Sequence, residues 1–149
     1  MPIKNYTSGV SPYTSLGEIQ GALAQNGASK IMVDYEHGEP VAVTFAMETM
    51  HGLQGFTIPA PMEGTLRAFQ KQNVKVDKEQ AKRTAWRNVR DWIMAQVALV
   101  ESCDVPMDQV FLPFLTDRSG KTIYEIYAKG QLLLAGDVND IDSIKDSEG

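Results

Sequence analysis

A helical pattern of apolar residues runs from Asp77 to Glu101. At 100° per residue, five apolar side chains fall on one stripe: Trp86, Val89, Ile93, Val97 and Val100. Asp77 and Gln80 have the spacing of a capping box, and no Gly or Pro follows before Glu101. The pattern therefore predicts one long helix. Its second half, WIMAQVALV, is apolar on nearly all sides, which predicts burial against C-terminal helices or a second subunit.

Three shorter stretches alternate between apolar and polar residues and predict β-strands. They are KIMVDYE (30–36), VAVTFAM (41–47) and LQGFTIP (53–59). The segment His37-Gly38-Glu39-Pro40 and a second turn around Met50-His51-Gly52 separate them. The sequence thus predicts a three-stranded antiparallel meander with one apolar face, which the neighbouring helices should cover.

A helix is predicted before the meander, after a polar, extended arm formed by residues 1–13. Ser15 and Glu18 have capping-box spacing, and the apolar face of this helix comprises Leu16, Ile19 and Leu23. Asn26-Gly27 provides a normal helix end.

Further short helices are predicted after the meander. One covers residues 61–72, with Leu66 and Phe69 facing inward. Residues 107–115 form another, which Pro113 interrupts or ends. The last covers residues 122–130, and its inward side is expected to carry Ile123, Ile126 and Tyr127.

The predicted fold class is α+β: a three-stranded antiparallel meander flanked by an N-terminal helix and a long central helix, with short C-terminal helices. Residues 1–136 should form a single α+β domain, in which Leu132, Leu133 and Leu134 dock on the core. Residues 137–149 have the composition of an acidic flexible tail.

Composition excludes several classes of protein. No apolar run of the 149 residues approaches the roughly 20 needed to span a membrane, and the N-terminus has no apolar signal core, so a cytoplasmic location is expected. Cys103 is the single cysteine and His37 and His51 are the only histidines, which argues against a disulfide framework or a metal site. No catalytic motif is present, so we expect a protein that is not an enzyme.

Charge is distributed unevenly along the chain, whose net charge is −5. The segment from Arg67 to Arg90 contains eight basic residues and only two acidic ones, Asp77 and Glu79, so its local net charge is +6. Clustered cations of this kind can neutralise nucleic-acid phosphates. The candidate phosphate-binding residues are Lys71, Lys75, Lys78, Lys82, Arg83, Arg87 and Arg90. The alternative is that these side chains only form the solvent-exposed face of a helix and bind no ligand.

Aromatic residues could add stacking surfaces for bases if they are exposed. The candidates are Tyr13, Tyr35, Phe69 and Trp86. Because Trp86 lies on the apolar stripe, packing in the core is the stronger expectation for it.

Three segments resemble small phage and prophage proteins: GFTIPAPMEGTLRAF, EQAKRTAWRNVRDWIMAQVALVES and FLPFLTDRSGKTIYEIY. The order of helix, meander and long helix over residues 15–101 is also similar to the core of phage single-strand annealing proteins of the RecT-like superfamily. The resemblance implies binding and annealing of single-stranded DNA in recombination, by a homo-oligomer without a cofactor. The alternative function is a phage accessory protein that binds and inhibits a host defence protein.

Overall fold

A computed structural model describes residues 3–130 and has the predicted α+β architecture. Five α-helices and three strands follow one another along this part of the chain. They are α1 (Pro12–Gln25), β1 (Ala28–Glu36), β2 (Glu39–Thr49), β3 (Gly52–Pro59), α2 (Met62–Lys71), α3 (Lys78–Cys103), α4 (Met107–Val110) and α5 (Ile123–Ala128). The predicted docking of Leu132, Leu133 and Leu134 and the predicted acidic tail lie outside the described residues.

The three strands form one antiparallel sheet in the order β1-β2-β3, as the alternating pattern predicts. The first turn is shorter than expected, because Glu39 already pairs with Glu36 and only His37 and Gly38 lie between the strands. Both turn residues have positive φ angles, 52° and 78°. This is the conformation of a type I′ turn, whose twist matches that of the two strands.

One face of the sheet and the helices α1 and α3 share a single hydrophobic core. Ile93 of the long helix is fully buried, as are Ile19 of α1 and Phe45 of β2, whose ring stacks on Phe56 with centroids 5.0 Å apart. The predicted stripe of α3 faces this core, which confirms the predicted packing of the long helix on the meander. Its buried members are Trp86, Val89, Ile93 and Val97.

Helix α1 begins four residues earlier than the sequence suggested. Ser11 is the N-cap, and its side chain accepts a hydrogen bond from the backbone amide of Tyr13. Pro12 occupies the first helical position, where its missing N–H costs nothing and its fixed φ favours the helix. The predicted cap at Ser15 is therefore wrong: Ser15 is a buried residue inside the helix.

The predicted start of α3 is confirmed, but its predicted capping box is only half formed. Asp77 is the N-cap, and its carboxylate accepts a hydrogen bond of 2.8 Å from the amide of Gln80. The side chain of Gln80 does not return to the cap. It donates instead to the carbonyl oxygen of Ser8 and to the hydroxyl of Thr84.

The segment after α3 covers part of that helix and one edge of the sheet. Trp92 of α3 makes edge-to-face contacts with Phe111 and Phe114, at centroid distances of 5.6 and 5.4 Å. Leu115 forms an antiparallel bridge to Phe56 of β3. The C-terminal elements therefore bury part of the apolar second half of α3, one of the two arrangements predicted for it.

Helix α5 has a complete capping box between Thr122 and Glu125. Its inward side is narrower than predicted, because Ile123 and Ile126 are half-buried while Tyr127 is exposed. The placement of Tyr127 on the inward side is thus wrong. No helix within residues 3–130 is both long and apolar enough to cross a membrane.

Candidate nucleic-acid interface

The basic residues between Arg67 and Arg90 separate into two groups in the structure. Lys71 ends α2, Lys75 lies in the connection and Lys78 begins α3. All three lysines are exposed, and none forms an ion pair with another residue of the described chain. Arg67 of α2 is also exposed and forms no ion pair with another residue within residues 3–130. We call Arg67, Lys71, Lys75 and Lys78 the junction cations.

The other candidate residues have partners. Lys82 contacts the carboxylates of Glu39 and Glu79, each at 3.0 Å. The hydrogen bond to Glu39, followed by the one to Glu79, raises the pKa of Lys82. Lys82 therefore connects the start of β2 to α3, and its charge is largely compensated within the molecule.

Arg87 and Arg90 connect α3 to α1 through one carboxylate. Glu18 accepts a hydrogen bond of 2.6 Å from Nη1 of Arg87 and one of 2.9 Å from Nε of Arg90. The hydrogen bond from Arg87 is the main cause that lowers the pKa of Glu18. Arg90 also contacts Asp91 at 3.1 Å. These two arginines are half-buried and hold the two helices together.

Arg83 binds the N-terminal segment of the chain. Its Nε donates to the carbonyl oxygen of Ser8 at 3.2 Å, and its Nη2 donates to Oε1 of Gln80 at 2.7 Å. Because Gln80 donates to the same Ser8 oxygen, two side chains of α3 hold this carbonyl. Both partners are neutral, so these contacts do not pair the positive charge of Arg83 with a carboxylate.

Residues 3–10 are not the extended arm that was expected. They form a turn around residues 4–7 and lie along α3, and Pro12 and Tyr13 already belong to α1. Asn5, which has a positive φ of 63°, donates hydrogen bonds to Asn88 and Asp91.

Lys4 adds an ion pair of 2.8 Å to Asp91. Burial by itself raises the pKa of Asp91, but hydrogen bonds from Lys4, Asn5 and Arg90 outweigh it and lower the pKa to about 2. The sequence offered no signal for this docking, because the arm lacks a periodic pattern and holds α3 through polar contacts.

The connection between α2 and α3 stands between two open depressions. One has a volume of about 470 Å³ and is lined by Tyr6, Lys75, Arg83 and their neighbours. The other, of about 450 Å³, lies on the side of Leu66 and Gln70 and also includes Lys75. Lys75 thus lines both concave surfaces.

None of the four aromatic residues expected as stacking surfaces lines the depressions beside Lys75. Phe69 and Trp86 are fully buried, so they cannot stack on bases, and Nε1 of Trp86 donates to the carbonyl oxygen of Pro40. Tyr13 and Tyr35 are exposed, but neither lines the depressions beside Lys75. Tyr6, which sequence reasoning missed, does line one of them and is 39% exposed.

Cys103 is exposed at the end of α3, and no three His, Cys, Asp or Glu side chains within residues 3–130 are grouped as metal ligands. Comparisons of the chain with family models, with curated proteins and with solved structures found no match.

Proposed function

We propose that this protein binds single-stranded DNA and anneals it as a phage-type recombination protein. The observation that carries the proposal is the set of junction cations, which are exposed around the connection between α2 and α3 and have no ion-pair partners in the described chain. Residues 67–78 contain four basic residues and one acidic residue, a net charge of +3 in a chain of net charge −5.

The geometry suits a flexible strand. Lys75 lines both concave surfaces, and Lys71 and Lys78 stand at the ends of the two helices that the connection joins. Tyr6 in one depression offers an exposed ring on which a base can stack, with Arg83 beside it. Cationic grooves with aromatic side chains are the usual means of binding single strands without sequence preference.

Arg87, Arg90 and Lys82 have a secondary role in this proposal. Glu18 pairs with both arginines, Asp91 also pairs with Arg90, and Glu39 and Glu79 pair with the lysine. The contribution of these three cations to phosphate binding is therefore reduced. A strand would have to compete with these carboxylates. The exposed lysines are therefore the positions at which binding should be tested.

The test is a titration of a labelled dT oligonucleotide at several salt concentrations. Replacing Lys71, Lys75 and Lys78 by Glu should lower the salt slope of binding by about 2, since each contact to a single strand contributes about 0.7. The matched control replaces three exposed cations elsewhere by Glu: Lys30, Arg118 and Lys129. It produces the same change in net charge.

The control variant should keep most of the salt slope. Equal losses in both variants would show that only net charge matters and would contradict a binding site at the junction. A wild-type protein that binds no oligonucleotide at about 50 mM salt, where phosphate contacts are strong, would contradict the proposal altogether and favour a host-protein inhibitor. Annealing itself is measured as the rate at which two complementary labelled strands pair with and without protein.

A further inference from the structure

A groove with an apolar floor lies between the β1–β2 turn, the start of α2 and the start of α3. Its volume is about 490 Å³, within the range of ligand-binding pockets. The floor is formed by aliphatic side chains and a methionine: Val41, Met62, Leu66 and Ala81. A second depression of about 410 Å³ shares Glu36, Val41, Met62 and Glu63 with it and continues to Arg67. The two are therefore one continuous groove.

Two carboxylates stand where the depressions overlap. Glu36 and Glu63 line both of them, are exposed, and form no ion pair with a residue of the described chain. Glu39, by contrast, forms an ion pair with Lys82. The middle of the groove is therefore negative. Its two ends carry Lys78 and Arg67, which are exposed cations.

The walls of the groove are held in place before any ligand binds. The indole Nε1 of Trp86 donates a buried hydrogen bond of 3.2 Å to the carbonyl oxygen of Pro40, which fixes the hairpin to α3. The backbone amide of Ala60 donates to the carbonyl oxygen of Val41 at 2.9 Å, which fixes the entry to α2. A preformed site avoids the cost of ordering its walls on binding.

We propose that this groove binds a short segment of a partner protein that carries an aliphatic side chain next to a single Lys or Arg. The aliphatic side chain would cover Met62 and Leu66, and the cation would lie between Glu36 and Glu63. Lys78 and Arg67 at the ends disfavour a run of basic residues. The two carboxylates disfavour a phosphate backbone in the middle of the groove. Lys78 and Arg67 at its ends are shared with the junction cations, but the proposed contacts to Glu36 and Glu63 do not depend on DNA binding.

The probe is the peptide Gly-Ser-Leu-Arg-Ser-Gly, acetylated and amidated so that its arginine is the only charge. It is added at up to millimolar concentration to the full-length, ¹⁵N-labelled protein, and amide shifts are recorded. Val41, Met62 and Leu66 should shift with peptide concentration. Two control peptides, with Ser in place of Leu or with Glu in place of Arg, should leave these amides unchanged at the same concentrations.

A pair of protein variants tests the carboxylates. Glu63→Gln should raise the dissociation constant of the peptide about two- to fivefold, the range for an exposed ion pair. Glu48→Gln removes another exposed carboxylate without an ion pair in the described chain and should change nothing. Both variants should keep the amide spectrum of a folded protein outside the substituted position.

Several results would overturn the proposal. They are the absence of shifts with the probe, equal shifts with all three peptides, and equal affinity of the Glu63→Gln variant and the wild type. Shifts of the same amides when the protein alone is diluted would identify a second copy of this chain as the occupant. Shifts caused by a dT oligonucleotide but not by the peptide would assign the groove to nucleic acid.

Discussion

At the scale of single residues, two fully buried hydroxyl groups have opposite surroundings. Thr84 of α3 donates to the carbonyl oxygen of Asn5 at 3.0 Å and accepts from Gln80. The hydroxyl of Ser15 in α1 finds no hydrogen-bond partner among the described residues. A buried polar group without a partner costs about 1–3 kcal/mol, whereas one with a partner contributes a little to stability. The two residues therefore differ in what their hydroxyl groups do for the fold.

Replacing Ser15 by Ala should raise the free energy of unfolding by about 1 kcal/mol, since the change removes an unsatisfied hydroxyl and improves helix propensity. Replacing Thr84 by Val keeps the shape of the side chain but leaves the Asn5 carbonyl without its donor. This change should lower the free energy of unfolding by about 1–2 kcal/mol. Urea denaturation of both variants and the wild type gives these differences. A loss of stability in Ser15→Ala would mean that the hydroxyl makes a hydrogen bond.

At the scale of elements, α3 contacts α1, α2, α4, the core face of the sheet and residues 3–10. Its stripe faces the sheet, its flank binds α1 through Glu18, and its first turns bind residues 3–10. Position around this helix therefore decides how costly a substitution is. Ile93 is fully buried in the core, whereas Leu99 on the same helix is 44% exposed.

Replacing Ile93 by Ala should lower the free energy of unfolding by about 2–5 kcal/mol, the usual cost of truncating a buried aliphatic side chain. The same change at Leu99 should cost less than about 0.5 kcal/mol, as for other surface substitutions. Thermal and urea denaturation of the two variants test this contrast. Equal effects would contradict the packing of the stripe against the meander.

The docking of residues 3–10 on α3 should depend on pH through Asp91. Its pKa of about 2 lies below the ordinary value of 3.8, so the folded state favours the ionised form. The corresponding stabilisation, about 2 kcal/mol, is present above pH 4 and is lost as the pH falls toward 2.

Asp91→Asn should therefore be less stable than the wild type at pH 7, and this difference should shrink as the pH approaches 2. Urea denaturation at pH 7, 4 and 2 measures the difference. Glu48→Gln is the control, because Glu48 is exposed and has no ion pair within the described residues. A difference between Asp91→Asn and the wild type that stays constant across these pH values would contradict a role for the ionised carboxylate.

Periodicity predicted the elements of this fold well but could not predict the partners of the charged residues. The 3.6- and 2-residue patterns show which side of an element faces the core, and α3 and the three strands follow them. They do not show which charged residue of another element will lie beside Arg87 or Arg90. Glu18, the only acidic residue of α1, was the available signal. Glu18 can be identified as the partner of these arginines only when the packing of α1 on α3 is known.

At the scale of the whole molecule, positive and negative charge lie in different parts of the chain. Residues 137–149 contain five acidic residues and one lysine, a net charge of −4 out of −5 for the whole chain. The junction cations lie between α2 and α3. A polyanionic segment in the same molecule raises the local concentration of carboxylates, which compete with phosphates for exposed lysines.

Deleting residues 137–149 should therefore strengthen binding of a dT oligonucleotide at low salt, and the gain should shrink as salt screens the competition. A full-length variant with Asn or Gln at the five acidic positions of that segment is the matched control. It should show the same gain, because length is unchanged and only charge is removed. Titration of the three proteins at two salt concentrations measures the effect. If neither variant gains affinity, the segment does not compete for the junction cations; if only the deletion gains, it hinders binding by its bulk rather than its charge.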